Sequence, residues 1–228
     1  MTMKLTSGRG KSPKEDLIYN RILELIMDKL LRPGERLNEA KLAEVHEVPR
    51  SRIRRVFERL RDEELVTIEL NKGAFLSRPT VDEARYVFET RRHLEAVAVQ
   101  LACTNATPAD LIIFDEQVAM EREAFAASRR DANRVAGKFH DVIAQATHNP
   151  ILEKLLNGLI KRCILIQSVY EVETNVLCLT GEHERIVEAI RARQPEQATE
   201  LMNHHFEHIL ASLDLSGERE DADLYAQI

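Results

Sequence analysis

The sequence predicts a mostly α-helical chain of two modules: a small one of three short helices and a hairpin, and a larger one that is all helix. Apolar residues recur at helical spacing through most of the 228 residues, with only 8 glycines and no tryptophan. That pattern disfavours a turn-rich all-β fold. Charge is split along the chain. Residues 1–79 carry 17 Lys and Arg against 13 Asp and Glu, a net +4, whereas the remainder carries 15 against 25, a net −10. A basic front and an acidic rear imply two modules with different partners. With 44% hydrophobic and 31% charged residues the composition is that of a folded, soluble protein. No apolar run approaches the roughly 20 residues that cross a bilayer. The first eight residues lack the apolar core of a signal peptide, so no membrane partner and a cytoplasmic location are expected. Cys103, Cys163 and Cys178 form no CxxC pair and are expected as buried thiols.

Residues 1–13 are polar and read as an unstructured tail, and 14–79 read as the first domain. Its first helix has Leu17, Ile18, Ile22, Leu25, Ile26 and Leu30 at helical spacing and stops near Pro33-Gly34. A short second helix fits Glu39 to Val45, with Asn38 as its N-cap. A third fits Pro49 to Asp62, with Ile53, Val56, Phe57 and Leu60 as one buried face. Two strand-like runs follow, Leu65–Leu70 and Ala74–Ser77, separated by a three-residue turn at Asn71-Lys72-Gly73. Pro79-Thr80 reads as a linker. The second domain, 80–215, contains five or six helices opening near Val81, Pro108, Asp131, Pro150, Thr180 and Pro195. Residues 216–228 are a polar tail.

Three short helices followed by a hairpin is the layout of a winged helix-turn-helix. The third helix carries six arginines between Arg50 and Arg61. With its apolar stripe inward, Ser51, Arg54, Arg55 and Glu58 face outward and Arg50 projects from the first turn. Arginine grips guanine O6 and N7 bidentately in a major groove, and further arginines and a hydroxyl hold phosphates. The alternative is a solvated face laced with Arg54–Glu58 and Arg59–Glu63 pairs.

Several stretches together resemble the N-terminal domain of the GntR family of regulators. They are Pro33-Gly34-Glu35-Arg36-Leu37-Asn38-Glu39, Leu42-Ala43, Val48-Pro49-Arg50-Ser51-Arg52-Ile53-Arg54-Arg55, Leu60, Glu64-Leu65-Val66 and Lys72-Gly73-Ala74-Phe75-Leu76. The resemblance implies a double-stranded DNA operator as partner. Arg50 and Arg54 would contact bases, with Ser51, Arg52, Arg55 and Lys72 around them and Gly73 at the wing tip. Two positions depart from the family: Glu47 stands where glycine is usual, and Pro49 where Ser or Thr is usual. A non-glycine residue at positive φ and a lost hydroxyl cap each cost about 1 kcal/mol.

In the rear domain three histidines occupy inward faces. His140 lies with Ala136, Ile143 and Thr147, and His183 with Ile186, Val187 and Ile190. His205 lies with Ala198, Leu201, His208, Ile209 and Ser212, whereas His204 falls on the outer side. Such residues are either hydrogen-bonded core histidines or ligands gathered in a bundle core. Phe139-His140, Asn149-Pro150, Glu182-His183, Ile186, Ala189-Ile190, Ala198, Met202 and His205 resemble the helical FCD effector domain of the FadR-like GntR branch. The resemblance implies a divalent metal, zinc or nickel by imidazole preference, on His140, His183 and His205. In that family an aspartate one turn before the first histidine is a further ligand, and here that position is Ala136. The resemblance also implies a homodimer formed through this domain.

Arg91 and Arg162 also sit on apolar stripes. Each is read either as a grip for a small carboxylate effector or as something plainer, an Arg91–Glu95 ion pair and a surface Arg162. The function expected is transcriptional regulation, not enzymatic, with operator affinity set by a small organic acid. A three-histidine metalloenzyme with an accessory DNA module and an effector-independent architectural DNA-binding protein are the alternatives.

Overall fold

The computed structural model describes residues 12–127, 129–172 and 176–216. They form two compact units that divide between Ser77 and Arg78. The expectations for residues 1–11, for residues 217–228 and for the Cys178 thiol lie outside what is described.

The first unit runs α1 (Pro13–Met27), β1 (Arg36–Leu37), α2 (Glu39–Val45), α3 (Arg50–Asp62), β2 (Val66–Glu69) and β3 (Gly73–Leu76). Pro13 opens α1, with Glu15 and Asp16 in the first turn beside the positive end of the helix dipole. Its buried face is Ile18, Tyr19, Ile22 and Ile26, and it packs on α3 through Ile53, Val56, Phe57 and Leu60. Leu17 and Leu30, expected on that face, are exposed. Tyr19 takes a buried place on it, with its ring under the Arg59 guanidinium.

The hairpin is antiparallel, with Val66 opposite Leu76 and Glu69 opposite Gly73. Gly73 has φ +111°, a conformation that favours glycine. A third strand not expected from the sequence, β1, pairs with β3, which gives the order β1-β3-β2. Two residues are too short to show alternation, but they seal the free edge of β3. Between α2 and α3, Glu47 has φ 51°, the left-handed turn that glycine would occupy without strain. Pro49 caps α3 without a side-chain hydrogen bond.

The second unit contains α4 (Val81–Asn105), α5 (Pro108–Ala127), α6 (Arg129–Ala146), α7 (Pro150–Tyr170), α8 (Val176–Arg191) and α9 (Pro195–Ala211). The helix starts follow from their caps. Thr80 Oγ1 accepts from the Glu83 amide, and Asn149 Oδ1 from the Ile151 and Leu152 amides. Thr107 and Asp110 accept each other's backbone N–H ahead of α5. The core is built on Phe88, Phe114, Phe139, Ile143, Leu156, Ile166, Ile186, Ile190 and Phe206. Each such side chain contributes about 1.5–3 kcal/mol on burial, which lets the bundle tolerate ionisable groups at its centre. Cys103 and Cys163 are free and buried, as expected. No helix of the described residues is long and apolar enough to cross a membrane.

The turn before α3 generates a prediction. Glu47→Gly should stabilise the N-terminal unit by about 1 kcal/mol by removing left-handed strain, and Pro49→Ser by a similar amount through a new cap. Urea unfolding reads both. Destabilisation by Glu47→Gly would contradict this account of the turn.

Candidate functional site

The polar centre of the second unit is built from three histidines on three helices. His140 on α6, His183 on α8 and His205 on α9 are all buried, because each sits on the apolar stripe of its helix. Their Nε2 atoms turn toward one another: His183 to His205 is 3.3 Å, and His205 to His140 is 3.3 Å. The other ring nitrogens turn to three buried glutamates. His183 Nδ1 lies 2.8 Å from Glu121 Oε2, His205 Nδ1 2.8 Å from Glu182 Oε2, and His140 Nδ1 2.9 Å from Glu95 Oε1. A carboxylate only accepts, so His183 and His205 carry the proton on Nδ1 and turn an Nε2 lone pair inward. His140 Nδ1 is buried beside Glu95 without a hydrogen bond among the described residues. Phe139 stacks on His183 at a centroid distance of 3.8 Å and fixes the ring plane.

This donor set fits a divalent metal. Nitrogens about 2.0–2.1 Å from a tetrahedral zinc lie about 3.3–3.4 Å apart, which is the Nε2 spacing seen here. Imidazoles oriented through Nδ1 by carboxylates are the usual outer support of such ligands. His140, His183 and His205 therefore form a group that could hold a metal ion. Ala136 is buried one turn before His140 and offers no donor atom.

Burial governs the protonation of this centre. It pushes His205 down to about 3 against the opposing hydrogen bond from Glu182, with His183 and His140 adding to the fall. It also holds His140 well below the ordinary value, helped by the Arg91 and His183 charges. Glu95 is raised by burial, although Arg91 pulls the other way. Burial would raise Glu182 too, but hydrogen bonds from His205 and His208 outweigh it and hold that carboxyl low.

The two candidate arginines separate. Arg91 is buried beside the histidines and pairs with Glu95 at 3.0 Å, so the internal ion pair foreseen from the sequence exists. Arg91 Nη2 and Glu95 Oε2 remain buried without a hydrogen bond among the described residues. Arg162 is not brought to this cluster. The buried face of α7 runs through Leu152, Leu156, Ile160, Cys163 and Ile166, while Arg162's supposed stripe partner Leu155 is exposed. Arg162 instead donates to Glu83 at 2.6 Å, about three turns of α4 away from Glu95. His208, expected inward, is half exposed. The sequence reading missed Glu121 entirely. Its signal is the stripe Phe114, Gln117, Val118 and Glu121, on which a buried carboxylate requires a partner.

In the first unit, Arg50, Ser51, Arg54 and Arg55 are exposed along α3, as the periodicity predicts. Arg54 pairs with Glu39 at 3.0 Å rather than with Glu58, and Arg55 pairs with Glu15 at 2.5 Å. Arg59 does approach Glu63, at 3.8 Å, and bonds Asp16 at 2.7 Å. Arg52 is half-buried and donates to Ser12 Oγ at 2.6 Å. Lys72 on the hairpin pairs with Glu69. A groove lined by Arg36, Arg50, Arg54, Arg61 and Gly73 runs beside α3. Arg36 was not foreseen. A Cβ on Gly73 would meet its Nε at 3.4 Å, an ordinary contact, so φ +111° rather than space is what favours glycine there.

The lowered histidines predict how metal-free stability depends on pH. Their folded values lie below the ordinary 6.5, so the unfolded chain binds those protons more readily. Stability is present above about 6.5 and is lost as pH falls toward about 3. Glu182 acts in the same direction below its own range, whereas Glu95 and Asp141, the latter pushed up to about 6 by burial, act oppositely. Thermal unfolding of chelator-treated Asp141→Asn protein, which removes one of the two opposing carboxyls, should show a falling midpoint in the rear unit from pH 7.5 to 4.5. A flat or rising profile would contradict the assignment.

Comparison with known proteins gives the family. The sequence profile of the FCD domain matches residues 86–208, more than half the chain, and that of the bacterial regulatory proteins of the gntR family matches residues 14–76. The chain is 29% identical over 195 residues to the HTH-type transcriptional regulator YdhC of Bacillus subtilis, covering 83% of this chain and 86% of that one. It is 26% identical over 194 residues to the galactonate operon transcriptional repressor of Escherichia coli, covering 73% and 82%. A GntR transcriptional regulator from Rhodococcus sp. RHA1 shares the fold, with a TM-score of 0.73 at 24% identity over 88% of this chain and 97% of the other. These are relatives of a regulator family rather than of an enzyme class. The chain belongs to the GntR family of bacterial transcriptional regulators, with a winged helix-turn-helix DNA-binding domain and an FCD effector-binding domain.

Proposed function

We propose that this regulator binds its operator as a homodimer and that a small carboxylate, held with a divalent metal in the rear domain, sets operator affinity. The observation that carries the reading is the convergence of three Nε2 atoms, with Glu121 and Glu182 hydrogen-bonded behind His183 and His205 and Glu95 beside His140. His140, His183 and His205 would hold zinc or nickel. Such an ion would act as a Lewis acid with coordination positions open to water or a carboxylate oxygen. Ala136 supports this, since the place of a protein carboxylate is open to one from an effector. Arg91 supports it too: its Nη2 is buried and unsatisfied, and a guanidinium matches a carboxylate. The relative named for the galactonate operon is consistent with an organic-acid effector, galactonate being a sugar carboxylate. To work as a switch, the effector must bind one arrangement of the dimer more tightly than another.

On DNA, Arg50 and Arg54 would read bases, and Arg55, Lys72 and Ser51 would hold phosphates. Exposed pairs such as Arg54–Glu39 are worth about 0–1 kcal/mol, whereas a bidentate base contact is worth about 1–3 kcal/mol. The arginines can therefore leave their glutamates for DNA. Arg52, half-buried on Ser12, is a poorer candidate for direct contact than its neighbours.

Two measurements test this reading. Arg50→Ala or Arg54→Ala should weaken binding to the intergenic DNA beside the gene by about 1–3 kcal/mol and relax base preference. Arg55→Ala should weaken specific and random DNA alike and flatten the salt dependence. Equal losses on both DNAs in all three variants would overturn the division of roles. For the rear domain, Ala136→Asp should tighten zinc binding and His183→Ala should remove the tight site. Operator affinity should respond to a panel of small carboxylic acids with zinc in the wild type and not in His183→Ala. A response that survives in His183→Ala would overturn the metal-assisted reading.

A further inference from the structure

Glu182 uses only one of its carboxylate oxygens for the triad. Oε2 accepts from His205 Nδ1 at 2.8 Å, inside the bundle. Oε1 faces the other way, toward two further histidines on α9. His208 Nδ1 hydrogen-bonds to it, and His204 Nδ1 lies 3.8 Å from it. His204 and His208 are four residues apart on one helix, so their rings stand one turn above the other, with centroids 4.2 Å apart. One ligand atom from each of Glu182, His204 and His208 falls within a sphere of contacts no wider than 4.8 Å. The carboxylate is nearly buried and fixed, while the two imidazoles are about half exposed. A pre-oriented carboxylate with two imidazoles at i and i+4 is a borderline-metal donor set with room for water on its open side.

From this we infer a second metal site, outside the histidine triad, in which Glu182 Oε1, His204 and His208 take a zinc-type divalent cation. It stands on different ligands from the triad and does not depend on the effector reading above. Only two of its donors are imidazoles and its outer face is open to water, so it binds more weakly and exchanges faster than the triad. The two sites share Glu182. A cation on Oε1 draws charge from the carboxylate that orients His205, and an outer-shell carboxylate tunes the basicity of the imidazole it holds. Occupancy of one site therefore alters affinity at the other, and the effect is reciprocal.

The test is zinc titration of the chelator-stripped full chain by calorimetry, with elemental analysis. Four proteins are compared: wild type, His183→Ala, His204→Ala/His208→Ala and the triple variant. His204 and His208 are exposed enough that alanine leaves the helix intact, which circular dichroism checks. The wild type should show a tight and a weaker class of site. His204→Ala/His208→Ala should lose only the weaker class, with the affinity of the tight class shifted through Glu182. His183→Ala should keep the weaker class, and Cu2+ bound there should show electron paramagnetic coupling to imidazole nitrogens that vanishes in the triple variant. If His204→Ala/His208→Ala gives the wild-type isotherm, the outer site is wrong while the triad stands. If His183→Ala removes all binding, the outer site is likewise refuted. If only the weaker class exists and it survives His183→Ala, the outer site stands and the triad reading falls.

Discussion

The rear domain is organised around three imidazole Nε2 atoms aimed at one point. His183 and His205 donate their Nδ1 protons outward to the buried Glu121 and Glu182, so their Nε2 lone pairs, 3.3 Å apart, meet with electron density toward electron density, and His140 Nε2 lies 3.3 Å from that of His205. Neutral groups in that arrangement repel, and a cation among them reverses the sign. The glutamates answer a second demand, because they are themselves buried and need donors. Glu95 has Arg91, and Glu182 has His208 as well as His205. Glu121 accepts from Gln117 Nε2 at 2.8 Å and from His183. The polar centre at the heart of the apolar bundle is satisfied around Glu121 and Glu182 and left open around Arg91 Nη2, Glu95 Oε2 and His140 Nδ1, and helices α4, α5, α6, α8 and α9 each contribute to it.

The winged unit obeys a different constraint, presenting positive charge without collapsing onto its own acids. Arg55 and Arg54 are exposed and are each held by one half-buried carboxylate, Glu15 for Arg55 and Glu39 for Arg54. Pairs on exposed arginines cost little to break in water, so they order the side chains without locking them. The strained Glu47 turn and the start of α3, which has no side-chain cap, lie next to Arg50, the first residue of α3.

Much of this was legible in the sequence where a residue type has a single structural use. Proline after a polar residue marked the starts of α5 and α7, and Asn71-Lys72-Gly73 marked the hairpin. The three inward histidines were legible because a polar residue on an apolar stripe stands out. What was not legible depended on tertiary partners. The strand Arg36–Leu37 has no period to detect, and only its pairing with β3 defines it. Glu121 went unread, and Glu182 entered only beside His183 in the family resemblance; the buried roles of both appear once histidines from other helices are placed against them. Periodicity put Arg162 and His208 inward because helices α7 and α9 carry apolar residues on more than one face. Packing selected Leu156 and Met202, buried it there, and left Leu155 outside.

The central claim is that His140, His183 and His205 offer Nε2 to one metal, with the Nδ1 protons of His183 and His205 held by glutamates. Nitrogen-15 NMR of histidine-labelled protein, recorded metal-free and with zinc, tests it directly. The account predicts two histidines whose Nδ1–H signals persist in slow exchange and three whose Nε2 resonances move on zinc binding, with all three changes lost in His183→Ala. Nε2-protonated rings that zinc leaves unchanged would contradict it.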